Sequence, residues 1–251
     1  MKSNIALLMI TYNSEELLRK SLSSVKDIVA EIVVVDGGST DETIKIASLY
    51  GAEIYNYKGI NLGGQRAHGL SKIQQEWVFM LDSDEIISLK LADEIEEVVK
   101  NAGYDGYYIP YKNHFLGKPV NHGGENYKIL RLARKEKIKI NPSLLHEKIS
   151  LTSSKTGELK NYMYHYSYRS LGQVFKKFTD YAKREAEEKY KKGERVSLKK
   201  IFLYPVHMFW ARFIEDKGYK DGFFRIPLDL GFAYMELVTY IFLLQKQIMK
   251  A

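Results

Sequence analysis

Residues 5–10 are apolar without interruption, the pattern of a strand covered on both faces of its sheet. Asn13-Ser14 then offers a helix cap, Glu15 and Glu16 occupy the first turn, and Leu17, Leu18, Leu22 and Val25 recur at helical spacing. Residues 31–35 read as a second buried strand that stops at Asp36-Gly37-Gly38. Ser39-Thr40-Asp41-Glu42 opens another helix, with Ile44, Ile46, Ala47 and Leu49 as its expected apolar face. Residues 52–57 read as a third strand, Gly63-Gly64 opens a helix that runs to Ile73, and residues 77–81 form a fourth strand ending at Asp82. This alternation predicts an α/β fold, a mostly parallel, doubly wound sheet flanked by helices. Right-handed crossovers bring the C-terminal ends of such strands to one edge, where open α/β sheets bind their ligands. Thr11-Tyr12-Asn13, Asp36-Gly37-Gly38 and Asp82-Ser83-Asp84 all follow strand ends, so they are expected to converge.

From Asp105 onward the texture changes. Residues 107–111 and 128–132 read as strands beside Gly- and Asn-rich loops (Gly117, Asn121-His122-Gly123-Gly124). Residues 171–192 are helical and heavily charged, and residues 198–213 and 223–250 are aromatic-rich helical segments. No repeat or low-complexity linker divides the chain. The expected organisation is a catalytic domain over residues 1–168 and a C-terminal helical, basic and aromatic extension over residues 169–251.

A chain of 251 residues suits one α/β domain with an appendage. It has no cysteine, which rules out disulfides and thiolate metal sites and fits a reducing compartment. The N-terminal apolar run is too short for a signal-peptide core, so a cytoplasmic location is expected. The net charge of +7 is unevenly spread: residues 1–100 hold 10 basic and 16 acidic side chains, residues 101–150 hold 9 and 4, and residues 151–251 hold 19 and 11. An acidic front and a basic, aromatic back suggest separate tasks. Along residues 176–192 the basic side chains alternate with acids, the mark of a solvated helix with (i, i+4) pairs rather than of a nucleic-acid surface.

The candidate chemistry lies at the strand ends. Asp82-Ser83-Asp84 puts two carboxylates within reach of one hard cation, Mg2+ or Mn2+, which bridges carboxylates to a diphosphate. The plainer alternative is a solvated loop of helix-capping acids. Asp36 could accept bonds from a base or ribose hydroxyl, with Gly37 and Gly38 permitting close approach; the alternative is a tight turn in which Asp41 serves structure. Asn61-Leu62-Gly63-Gly64-Gln65-Arg66 could set backbone N–H groups and a guanidinium beside a diphosphate. That loop matches neither the Walker spacing nor the dinucleotide fingerprint, which argues against an NTPase or a dehydrogenase. His165, set among Tyr162, Tyr164, Tyr166 and Tyr168, could complete a metal shell or touch phosphate. His146 and Glu147 are candidate general bases.

Taken in order, these residues resemble the family 2 glycosyltransferases of the GT-A fold. The resemblance runs through Met9-Ile10-Thr11-Tyr12-Asn13, residues 32–43, Gly63-Gly64-Gln65-Arg66 and Leu81-Asp82-Ser83-Asp84-Glu85, covering about residues 1–150. It implies an inverting, metal-assisted transfer from a nucleoside diphosphate sugar, a UDP-sugar by default. Thr11, Tyr12, Asn13, Asp36, Gly38, Arg66, Asp82 and Ser83 would form the donor site, and Asp84, helped by Asp82 and His165, would hold the metal. Leu145-His146-Glu147-Lys148, His165-Tyr166-Ser167-Tyr168 and Lys220-Asp221-Gly222-Phe223-Phe224 resemble a narrower branch, the lipopolysaccharide core glucosyltransferase-like proteins. That branch implies a glycan or glycolipid acceptor in cell-envelope synthesis. Many family members carry Glu-Asp on the acceptor side; here His146-Glu147 stands in a comparable place, so either residue is a candidate base.

Competing readings are a sugar nucleotidyltransferase, which would carry a Gly-rich basic loop after the first strand where this chain has Thr11-Tyr12-Asn13-Ser14-Glu15, and a catalytically idle nucleotide-sugar-binding module. Residues 226–244 approach transmembrane length but contain Pro227, Asp229, Gly231 and Glu236, and central acids cost about 2.5–3.5 kcal/mol each on insertion scales. The aromatic belt from Phe202 to Phe242 instead suits peripheral contact with the inner face of the cell membrane, packing on the catalytic domain, or a homo-oligomer interface.

Overall fold

The protein is described from a computed structural model covering residues 4–58, 61–141 and 148–249. Its first half is the expected alternation: β1 (Ile5–Thr11), α1 (Glu15–Val25), β2 (Glu31–Asp36), α2 (Thr43–Leu49), β3 (Glu53–Asn56), α3 (Leu62–Lys72) and β4 (Trp77–Met80). β3, β2, β1 and β4 lie side by side and parallel, with Thr11 paired to Asp36 at the end of the register. Ile5, Leu7 and Met9 pack into one core with Leu18, Leu22, Val25 and Ile46. Ala6 and Leu8 face the other way, into a core with Val33, Val35, Val78, Met80 and Ile73. Both sides of β1 are therefore covered, which is why its sequence shows no polar alternation.

Two local expectations change. Ser14 makes no cap bond to α1; Asp41 instead accepts from Glu15 N at 3.1 Å and from Thr43 N at 3.0 Å, serving the starts of both α1 and α2. In α2 the buried residues are Thr43, Ile46 and Ala47, while Ile44 and Leu49 are exposed. One apolar pair per turn suffices for so short a helix on a sheet.

Beyond β4 the sheet becomes mixed. β5 (Glu85–Ile87), α4 (Leu89–Lys100), β6 (Gly106–Phe115), β7 (Lys118–Val120), β8 (Lys128–Arg134), β9 (Ile138–Asn141), β10 (Lys148–Leu151), β11 (Thr156–Glu158) and β12 (Met163–Tyr168) follow. β8 runs antiparallel to both β4 and β6, and β12 runs antiparallel to β5, giving the order β3-β2-β1-β4-β8-β6-β12-β5. β9 and β10 form a separate two-stranded ladder.

The chain packs as two units, Met1–Tyr111 with Tyr127–His165, and Lys112–Asn126 with Tyr166–Ala251. It thus passes between units at three places rather than once near residue 168, because the loop after β7 is bonded to the C-terminal segment: Gly123 N donates to Asp216 O at 2.8 Å, and Arg212 pairs with Glu125. The second unit holds α5 (Leu171–Lys191), α6 (Leu198–Trp210) and α7 (Ile226–Ile248), with a π-helical turn over Ala211–Glu215. By length and composition Phe223–Ile248 could cross a membrane. In the unit, α7 buries Gly231 against Val174 and Phe178 of α5, and packs Tyr240 and Leu243 with Ala186 and Ile201. Asp229, one of the acids that argue against a spanning helix, is fully buried and paired with Arg225 at 2.9 Å.

Candidate active site

At the C-terminal edge of the parallel strands the three polar clusters meet. Asp36 ends β2 almost fully buried, and its carboxylate is saturated. Oδ1 accepts from Thr11 Oγ1 at 3.1 Å and Ser39 Oγ at 2.5 Å, and Oδ2 accepts from Gly38 N at 2.8 Å and Ser39 N at 2.7 Å. A carboxylate offers about four lone-pair positions. Asp36 is thus the keystone of its own turn, and a ligand hydroxyl would reach it by replacing the Thr11 or Ser39 hydroxyl. Gly38 holds φ +98°, open to glycine without strain. Asn13, at φ 47°, accepts from Thr40 N through Oδ1 at 2.8 Å and donates its own N–H to Ser39 Oγ at 2.9 Å. Tyr12 between them is exposed. Ser83 Oγ donates to Ser14 Oγ at 2.8 Å, joining the loop after β4 to the loop after β1.

Arg66 comes from the first turns of α3, whose start is fixed by Asn61 Oδ1 accepting from Gly64 N at 2.9 Å. The loop expected to face a diphosphate delivers this guanidinium to Asp82, which it binds through Oδ1. Arg131 of β8 binds Asp82 Oδ2 at 2.7 Å and Glu85 Oε1 at 2.5 Å, and Tyr111 donates to Glu85. Burial alone would raise the Asp82 pKa; Arg131 and then Arg66 overturn that and hold the carboxyl well below the usual range. Glu85, fully buried, goes the other way: burial pushes its carboxyl up, and Arg131 offsets this only in part. Burial likewise pushes Tyr111 well above its ordinary value.

The sharing of one cation by Asp82 and Asp84, expected from the sequence, is not the arrangement found. Both Asp82 oxygens are engaged by guanidinium groups, whose charge opposes an added cation. Asp84 has a different partner: its Oδ2 lies 3.5 Å from His165 Nε2, because the pairing of β12 with β5 sets His165 opposite Glu85. Neighbouring ligands on a hard octahedral cation stand about 3 Å apart, so a small closure would let Asp84 and His165 bind one ion. Among the described residues no group of three His, Cys, Asp or Glu could hold a metal. Asp84 and His165 would therefore supply two ligands to a divalent cation, a carboxylate oxygen and an imidazole nitrogen, with the rest of its shell left to molecules outside the chain. His146 and Glu147 lie outside the described residues.

The sequence reading missed Arg131 and Tyr111. A signal was present: Leu130, Arg131, Leu132 and Ala133 are consecutive buried positions of one strand, and a charge inside such a run needs a buried counter-charge. Which acid supplies it depends on the pairing of β4 with β8, which aligns Phe79 with Leu132.

Comparison with known proteins bears on the fold and the family. An uncharacterized glycosyltransferase of Rickettsia felis is 27% identical over 242 residues, covering 92% of this chain and 86% of its own. The lipopolysaccharide core biosynthesis glycosyltransferase LpsC of Rhizobium meliloti is 26% identical over 258 residues, covering 96% and 90%. Among solved structures, S. aureus TarS 1–349 in complex with UDP-GlcNAc superposes with a TM-score of 0.50 at 15% identity, over 100% of this chain and 92% of that one, a likeness of fold. The profile of glycosyl transferase family 2 spans residues 6–156, from β1 through Asp36, Arg66 and Asp84 to β11. With more than half its length inside that profile and its polar strand ends gathered on one rim of a GT-A sheet, the chain is an enzyme of glycosyl transferase family 2.

Proposed function

We propose that the protein transfers a sugar, with inversion, from a nucleoside diphosphate sugar to a glycan or lipid-linked acceptor in cell-envelope polysaccharide synthesis. The observation that carries this reading is the meeting of Asp36, Arg66 and the Asp84–His165 pair at the C-terminal edge of one buried parallel sheet. TarS, of similar fold, has been solved with UDP-GlcNAc, which supports a UDP-sugar as donor. The match to LpsC along nearly its whole length supports a saccharide acceptor.

In this reading Tyr12 offers its exposed ring to the base, and Asp36 takes a nucleoside hydroxyl in place of Thr11 or Ser39. Thr11, Asn13, Gly38 and Ser83 shape the wall. Arg66 turns from Asp82 toward the diphosphate, while Arg131 keeps the Asp82 charge paired. When bound between Asp84 and His165, a divalent cation would offset negative charge on the departing diphosphate. Glu147 or His146 takes the proton of the acceptor hydroxyl. The acceptor oxygen bonds to the anomeric carbon from the face opposite the diphosphate, and the electrons of the breaking C–O bond leave with the diphosphate.

The test is a thermal-shift panel of nucleotide sugars with and without Mn2+, followed by product analysis with the donor found. A ligand that binds only the native state raises Tm. The reading expects one nucleoside diphosphate sugar to stabilise the protein more with Mn2+ than without, and Asp84→Ala to remove the metal-dependent part. Glu147→Gln should keep the Tm shift while turnover falls ~100- to 10,000-fold, the usual contribution of one positioned base. Equal turnover would pass the role to His146. A panel with no stabilising nucleotide sugar would end the proposal.

A further inference from the structure

Helix α6 of the second unit is apolar on two sides. Its inner side supplies Ile201, packed with Tyr240 and Leu243, and Tyr204, edge-on to Tyr240 at 5.6 Å between ring centres. Its outer side carries Leu198, Phe202, Val206 and Trp210 in a stripe at (i, i+4) spacing, exposed by 75%, 65%, 67% and 54%, with Leu203 alongside. None of the 13 residues of the helix is buried. A helix at the surface of a water-soluble unit places charged residues where this stripe lies.

We propose that the outer face of α6 is a docking surface for an anionic lipid bilayer, on which the helix lies in the plane of the interface. The occupant follows from charge. The second unit holds 19 Lys and Arg against 11 Asp and Glu, and Arg195 and Lys199 stand exposed at the N-terminal end of the stripe. Two copies meeting through this face would bring like-charged units together, whereas a bilayer containing acidic headgroups complements both the stripe and its cations. The polar part of α6 has the Lys and His character of an in-plane helix: Lys199 and His207 share the exposed arc with the apolar stripe. Trp210 closes the stripe with a side chain suited to the boundary between acyl chains and headgroups.

The chain carries its own probe. It has two tryptophans, and Trp77 is 1% exposed within the first unit, so a change in emission on adding vesicles reports Trp210. The full chain would be titrated with phosphatidylcholine vesicles, with and without phosphatidylglycerol, some carrying brominated acyl chains. The proposal expects a blue shift and bromine quenching with the acidic vesicles, loss of both in Trp210→Phe, and weakening by salt. Phe202→Ser with Val206→Ser should lower partitioning by roughly tenfold or more at unchanged Tm, because neither side chain is part of a core. Lys199→Glu should weaken binding to acidic vesicles alone. Absence of a shift with acidic vesicles overturns the proposal. So does a concentration-dependent dimer, seen by sedimentation velocity and abolished by the double variant, in a chain that ignores vesicles. The readout involves no donor or turnover, so its failure leaves the transferase reading untouched.

Discussion

A carboxylate at the end of a buried strand keeps its charge by meeting hydrogen-bond donors, as Asp36 does, or guanidinium groups or a metal ion. Asp82 meets two guanidinium groups, and Asp84, two residues on, faces His165. The Asp-x-Asp pattern was legible in the sequence, but the division of labour inside it was not, because Arg66 and Arg131 arrive from α3 and β8. Removing Asp82 would take away a carboxylate that two nearly buried guanidinium groups share, so Asp82→Asn should cost about 3–5 kcal/mol in urea denaturation. Its pH dependence has a definite sign. The folded pKa lies below the ordinary 3.8, so the stability Asp82 contributes is complete above about pH 4 and fades as the pH falls toward the folded value. Glu85, with a raised pKa, acts in the opposite sense: the folded state holds its proton more tightly, so acidification through its folded pKa adds stability. Asp82→Asn should therefore flatten the acid limb of a plot of stability against pH.

At the scale of elements, apolar runs and glycine placement made the first half readable. Continuous runs became strands covered on both faces, helical spacing marked α1, and Gly63-Gly64 marked the start of α3. The second half was harder because β5, β7 and β11 have three residues each, too few for a period to emerge, and β12 alternates aromatic and polar side chains that resemble a site as much as a strand. Close packing decides what a glycine is for. A Cβ on Gly69 of α3 would come within 2.4 Å of Leu8 Cδ1 on β1 and 2.7 Å of Val35 Cγ2 on β2. Gly69→Ala should therefore destabilise by about 1–3 kcal/mol despite its better helix propensity, measured by denaturant midpoint at constant m. It should also disturb nucleotide-sugar binding, since α3 carries Arg66.

For the molecule as a whole, two units with separate cores divide the chemistry. The first holds the sheet edge with its acids and arginines. The second is a helical unit organised by a buried ion cluster, in which Arg225 binds Asp229 at 2.9 Å and Asp221 at 3.1 Å, and donates to Gly123 O at 3.1 Å. Asp221 in turn accepts from His122 N at 3.0 Å and Asn121 N at 2.9 Å, which explains why residues 112–126 pack with the C-terminal helices. Arg225→Met would strand the buried Asp229 with Arg212 Nε 3.5 Å away, and should lower stability by about 3–5 kcal/mol by calorimetry. A polar surface cluster would show no such loss.

The amino-acid sequence by itself determined the class of fold, the parallel half-sheet and the edge on which its polar residues gather. These follow from period, turn chemistry and the handedness of crossovers, all of which act over a few residues or one βαβ unit. It also marked Asp36, Arg66 and Asp84, since each stands where an element begins or ends. Only the tertiary structure decided that Asp82 belongs to Arg66 and Arg131, that His165 faces Asp84, and that the loop before β8 belongs with the C-terminal helices. Those pairings join residues 16 to 100 positions apart, and charge partners at such distances are chosen by strand register and packing, which no local pattern encodes.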